Sequence, residues 1–329
     1  MPNLQMIFNS GKNPKWKYYL NANFRKLIPS GLLRGKLDKL LLEIEKRPDA
    51  DEIHQRASYY CKISGTDCNG WENIPLIHSA IRRTTIGEAK PTRQKVYYHD
   101  IMEYARYFAP ELRLNFLPGD ITYTPEIPAI VKSRPIAGEN ANSVLLNLDK
   151  VRHFIFPNDR LRFEDKKDNV LFRGKINGKP NRIAFMDQFF GKKGIDAGAI
   201  DVVPGHEDWH CEKLTLWQQL ESKLIMALEG NDVASNLKWI MNSNSLAVTP
   251  RMRYETWFME GTLRPGEHYV EVADDFSDLE EKAEYYLTHP AEAREIIQNA
   301  NRYASKFKDK RREKLVSLLT LRNFLAAIN

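Results

Sequence analysis

VLFRGKINGKPNRIAFMDQFF, residues 170–190, changes periodicity part-way along its length. VLFRG (170–174) is an apolar run closed by a glycine and predicts a strand. PNRIAFMDQFF (180–190) predicts a helix, with Pro180 in the first turn, where a missing N–H costs little. The alternation continues downstream. AIDVV (199–203) predicts a strand, LTLWQQLESKLIMALEG (214–230) a helix, VASNLKWIMN (233–242) another helix and SLAVT (245–249) a strand. YETWFME (254–260) predicts a short helix and HYVEV (268–272) a strand, after which two or three helices finish the chain. Strand and helix in alternation imply a parallel sheet covered on both faces, with ligands at the carboxyl ends of the strands.

Upstream, LLRGKLDKLLLEIEKR (32–47) has helical apolar spacing, YHDIMEYARYF (98–108) reads as a helix, and LRLNFL (112–117) reads as a strand stopped by Pro118 and Gly119. That stop places Asp120 at a strand's carboxyl edge. SVLLNL (143–148) precedes the charged stretch FPNDRLRFEDKKDN (156–169), read as the connection between two lobes. A length of 329 residues suits two domains, and two lobes imply a cleft. The expected division is an N-terminal lobe over 1–155, a C-terminal lobe over 156–305, and a helix over 306–329 packing back on the N-terminal lobe.

Charged residues make up 28% and apolar residues 42% of the chain, which excludes disorder and predicts a real core. The net charge of +6 favours anionic partners, but the basic residues are scattered and form no nucleic-acid signature. Three cysteines, Cys61, Cys68 and Cys211, build no disulfide framework and point to reducing cytosol. No leader-like apolar segment opens the sequence, and no apolar run approaches membrane-spanning length, so a cytoplasmic location is expected.

Two segments have the composition of an anion site. In FRGKINGKPNR, Arg173, Lys175 and Arg182 crowd a glycine-containing strand-to-helix turn; in EGNDVASNLK, Gly230 and Ser235 flank a helix start. Together they read as a diphosphate cradle, or else as a solvated loop with chance charges and an ordinary helix cap. HEDWH (206–210) satisfies the zinc pattern H-E-x-x-H, but it follows the turn pair Pro204–Gly205 and lacks a third ligand, so it is read as a surface loop. The D-x-D pair Asp49 and Asp51 lies in a polar turn and is read as capping and solvation. The chain has no G-x-S-x-G, G-x-G-x-x-G or G-x-x-x-x-G-K-[ST], which argues against serine hydrolases, dinucleotide oxidoreductases and P-loop kinases.

PGDITYTPEIP (118–128), SRPI (133–136), LFRG followed by Arg182, LEGNDVASNLKW (228–239), NSNSLAV (242–248), ETWF (255–258) and HYVEV followed by DFSDLEEK stand in one collinear order. This order resembles glycosyltransferase family 90, which holds Rumi-type protein O-glucosyltransferases, fungal capsule-associated proteins and bacterial lipopolysaccharide-modifying enzymes. The resemblance implies an α/β GT-B-like fold of two Rossmann-like lobes with a cleft between them, and transfer with inversion from a UDP-sugar of the glucose, xylose or galactose class. It implies no metal and no other cofactor. Asp120 matches the family's general base and Arg182 its diphosphate-contacting arginine, with Arg173, Gly174 and Lys175 in the turn beside it. The Gly230 to Ser235 segment matches a second phosphate-contacting stretch. Eukaryotic members carry an arginine shortly after that serine, where this chain has Asn236, Leu237 and Lys238, so Lys238 would supply a point charge instead of a planar fork.

The implied partners are a nucleotide-sugar donor and a lipopolysaccharide core or related surface glycan, with peripheral contact at the inner-membrane face and no nucleic acid. The alternatives are a non-catalytic nucleotide- or glycan-binding protein of the same fold, and a metalloenzyme acting through HEDWH.

Overall fold

A computed structural model describes residues 10–63 and 81–329. Cys68, the first nine residues and part of the polar stretch between 58 and 95 lie outside the described residues. The described residues divide into two units: the first comprises 14–63, 81–151, 253–259 and 309–329, and the second comprises 10–13, 152–252 and 260–308.

In the first unit, α1 (Lys15–Lys26) is followed by α2 (Ser30–Arg34), α3 (Leu37–Ile44) and α4 (Ala50–Tyr60). The single helix expected over 32–47 is broken into α2 and α3 at Gly35, which caps α2. Glycine gains least from continuing a helix, and α3 restarts so that Leu40 and Ile44 are buried. Then come β1 (Arg82–Thr85), α5 (Lys95–Ala105), β2 (Arg113–Phe116), β3 (Ala129–Val131), β4 (Ser133–Pro135) and β5 (Ser143–Leu145). The strands form a sheet of order β1-β2-β3-β5, in which β1 is antiparallel and β2, β3 and β5 are parallel.

A two-stranded ribbon pairs β4 with β10 (Tyr254–Thr256) and sets Glu255 opposite Arg134. The short helix expected over 254–260 is therefore this strand, followed by a 3₁₀ turn at Glu260–Thr262. Glu255 is buried because Arg134 is: the two form an ion pair of 2.8 Å, and Arg134 also donates to the carbonyls of Tyr59 and Ser143. Beside them Trp257 stacks on Tyr60 with ring centroids 3.9 Å apart. The last helix, α11 (Lys310–Ile328), packs against α3, α4 and α5, and its Glu313 binds both Arg56 and the indole N–H of Trp257.

The second unit is built on a five-stranded, wholly parallel sheet of β6 (Lys167–Gly174), β7 (Ile195–Ala199), β8 (Ser222–Met226), β9 (Leu246–Pro250) and β11 (Val270–Val272) in the order β11-β9-β8-β6-β7. Its helices are α6 (Pro180–Phe189), α7 (Leu216–Gln219), α8 (Leu237–Ile240), α9 (Leu279–Thr288) and α10 (Pro290–Ser305). Phe172, Phe185, Phe189 and Phe276 make ring contacts in its core. FPNDRLRFEDKKDN, expected as the lobe connection, is packed into this unit: Phe163 is in the core, and Asp159 accepts from Lys166 and from the backbone of Asn244.

Three expectations here are corrected. The helix expected over 214–230 is one turn, α7, closed by a capping box between Thr215 and Gln218, and then the strand β8. Every residue of β8 is buried, so its apolar run carries no face-to-face alternation to mark it as a strand. The strand expected over 199–203 is β7, four residues earlier, where its pairing with β6 joins Val170 to Ile195 and Gly174 to Ala199. The helix expected over 233–242 is only α8.

Candidate active site

The strand order of the second unit reverses between β6 and β8: from β6 the chain goes outward to β7, then returns to β8 on the other side. Such a switch point opens a crevice at the carboxyl ends of the two central strands. Arg182, on the first turns of α6, fills this point. Its Nε donates to the carbonyl of Glu229 at 3.0 Å, Nη1 to that of Lys175 at 2.7 Å and Nη2 to that of Leu228 at 2.6 Å. Those carbonyls follow β6 and β8, so one guanidinium ties together both strand ends.

Among the described residues no carboxylate pairs with Arg182; Asp201 acts on it only at longer range, and burial lowers its pKa to about 10. Three of its five N–H donors are taken, which leaves one on each terminal nitrogen for an anion. Gly174 and Gly230 make the room. A Cβ on Gly174 would stand 3.3 Å from Nη1, and one on Gly230 would stand 3.1 Å from Nη2. The turn between β6 and α6 passes Gly178 at φ 71°, a backbone conformation that L residues rarely adopt.

The other expected donor residues divide. Lys175 is exposed in this turn, and Ser235 is exposed in the loop after β8. Asn236 donates to the carbonyl of Met226 at 2.9 Å and so folds that loop back over the end of β8. Arg173 is turned to the sheet edge, where it donates to the carbonyl of Asp196 at 2.9 Å and pairs with its carboxylate at 2.5 Å. Lys238 is a correction to the expected point charge: it is wholly buried and holds Glu260 at 2.7 Å, so its charge is met inside the unit. The expected helix start at Ser235 is likewise a loop, and α8 is one turn long.

In the first unit, Asp120 follows β2 at the carboxyl end of the parallel pair β2–β3, as its position after Pro118 and Gly119 predicts. Gly119 has φ 128°, which lets the chain turn sharply there. The loop is pinned where the hydroxyl of Ser133 accepts from the Ile121 N–H at 3.1 Å and donates to the Ile121 carbonyl at 2.9 Å. The Asp120 carboxylate pairs with the ammonium of Lys132, itself only 1% exposed, and lies 3.5 Å from the hydroxyl of Tyr97. Sequence reasoning missed both neighbours. The available signal was a lysine inside the apolar run AIVKSRP, a charge that burial permits only with a partner.

HEDWH forms a 3₁₀ turn at Glu207–Trp209 instead of an α-helix. His206 stacks on Trp209 at 3.8 Å, and the carboxylate of Glu207 accepts from Gly205 N–H at 3.1 Å. Asp49 stands at the start of α4 without capping it, contrary to the expected role; its carboxylate accepts instead from Arg47 and Arg312. Among the described residues no group of three or more His, Cys, Asp or Glu side chains is placed to hold a metal ion.

Residues 143–312 match the family model described as Glycosyl transferase family 90. The O-glucosyltransferase LpsA of Dichelobacter nodosus is 38% identical over 316 residues, covering 95% of this chain and 96% of the relative. The protein is a glycosyltransferase, an enzyme with a sugar donor and a glycan acceptor. The chain belongs to glycosyl transferase family 90.

Proposed function

We propose that the protein transfers a glucosyl unit, with inversion and without a metal, from UDP-glucose to a hydroxyl of a lipopolysaccharide core or related surface glycan in the cytoplasm. The glucosyl assignment follows the name of the 38% identical relative. The second unit then serves as donor lobe and the first as acceptor-side lobe of a GT-B-type enzyme. The observation that carries this reading is Arg182, a half-buried cation at the β6–β8 switch point whose side chain is bonded to carbonyls and has donors to spare.

In this reaction Asp120 takes the proton of the acceptor hydroxyl, the freed oxygen attacks the anomeric carbon, and the bond to the UDP oxygen breaks. The Lys132 ammonium pairs with this carboxylate and fixes its position in the loop. The negative charge that grows on the departing diphosphate is met by Arg182, whose two remaining donors suit paired phosphate oxygens.

UDP titration in EDTA, run beside single-turnover transfer, tests each role. Arg182→Lys keeps a cation but loses the fork, so UDP affinity should fall by about 10-fold or more. Asp120→Asn should leave UDP affinity near normal while transfer falls by about 10²- to 10⁴-fold. Binding of UDP only after manganese is restored would defeat the metal-free reading, and normal transfer by Asp120→Asn would defeat the base assignment.

A further inference from the structure

Helix α1 of the first unit is apolar on the face turned away from its own unit. On its inner side Ala22 is buried, the Tyr18 hydroxyl donates to Asp100 at 2.8 Å, Tyr19 packs edge-on against His99, and Arg25 pairs with Glu103. Trp16, Leu20, Phe24 and Leu27 recur at spacings of four, four and three residues, which at about 100° per residue gathers them within an arc of roughly 80°. That arc is solvent-exposed: Trp16 is 70% exposed, Phe24 58% and Leu27 75%. Ile28 and Leu32 extend the exposed apolar surface into α2.

Charge accompanies the stripe. From Pro14 to Leu37 the sequence has six basic residues and no acidic one, and Lys15, Lys17, Lys26, Arg34 and Lys36 are exposed. A cavity of about 290 Å³ lies against the same helices and is lined by Arg25, Lys26, Arg34 and His99, with Glu103 held by Arg25. No helix among the described residues is long and apolar enough to cross a membrane. Exposed tryptophan, phenylalanine and leucine rimmed by lysine and arginine, on a segment that itself carries no acid, is the chemistry of a helix lying in a lipid headgroup layer.

We propose that α1 and α2 form a docking surface for an anionic phospholipid bilayer, with Trp16, Leu20, Phe24 and Leu27 entering the headgroup region and the basic rim meeting lipid phosphates. Cosedimentation of the full-length chain with phosphatidylcholine vesicles, with and without phosphatidylglycerol, tests this without any sugar substrate, so its outcome is independent of the transfer chemistry. Wild-type protein should sediment with phosphatidylglycerol vesicles, release at high salt, and remain in solution with phosphatidylcholine alone. Trp16→Ser/Phe24→Ser/Leu27→Ser and Lys15→Glu/Lys17→Glu/Lys26→Glu should each lower partitioning by about 100-fold while melting like wild type, because the altered residues are exposed. Retained binding by both variants, or equal binding to both vesicle types, overturns the proposal. A concentration-dependent dimer that the serine variant abolishes, without lipid binding, would assign the surface to a second copy instead and also overturn it.

Discussion

Asp100 lies in the interior of the first unit, where its carboxylate accepts from the Tyr18 hydroxyl and from the backbone N–H of Lys150. Burial pushes its pKa from 3.8 up to about 6, against the pull of the nearby Lys150 ammonium. The folded state therefore keeps a proton that the unfolded chain has released, and stability linked to this group falls as pH rises between those two values. The expected outcome is a wild-type melting temperature that declines relative to Asp100→Asn from about pH 4 to about pH 6 and runs parallel to it above about pH 7. A constant difference across that range would place the titration elsewhere. Single residues also show how far the site was legible. Asp120 and Arg182 stand where their sequence context predicts, because Pro-Gly turns and strand-to-helix turns are written locally. Lys132 was passed over although its place in an apolar run signalled a buried charge, whereas Glu260 was not legible because it stands 22 residues along the chain from the lysine it pairs with. Lys238 was misread for that reason, as a point charge for the donor instead of half of a buried pair.

Among the elements, β6, α6, β9 and β11 were readable because a breaker or a change of period bounds each one. β7 and β8 were not, for opposite reasons. β8 is so thoroughly buried that its apolar run reads as well for a helix, whereas β7 carries Ala197, Gly198 and Ala199, residues with little strand preference. The small residues of β7 are required by what lies over them: a Cβ on Gly198 would run into the Cys211 sulfur and stand 3.2 Å from the Arg173 guanidinium. Gly198→Ala should therefore cost roughly 1–3 kcal/mol of stability, and adding Cys211→Ala should recover part of it. Chemical denaturation of the two variants checks this; an undiminished midpoint for Gly198→Ala would show that β7 can shift at its edge position.

At the scale of the molecule, the first unit is assembled from three separated stretches of chain, and the last of them is α11. Leu315, Val316, Leu318, Leu319, Leu321 and Phe324 of this helix are all buried, and full burial of such a side chain contributes about 1.5–3 kcal/mol. Together they match the roughly 5–15 kcal/mol that holds an ordinary domain folded. A chain ending at Lys308 should accordingly lose hydrogen-exchange protection throughout α3, α4 and α5 while keeping it in β6, β8 and β9. Uniform protection in both units would show that the helix is dispensable. Glu255 and Trp257 belong to the same design, since β10 returns to the first unit from the middle of the second in sequence, an exchange no local pattern announces.

This order of segments has a bearing on synthesis. A ribosome delivers the chain from its N-terminus, and domains tend to fold as they emerge. The second unit has all its described strands and helices once residue 308 is free, but the first still waits for α11. Every nascent copy thus passes through a stage with one finished unit and one still open, and a message cut short ahead of α11 would release protein fixed in that stage, its unmet apolar helices marking it for chaperones or proteases.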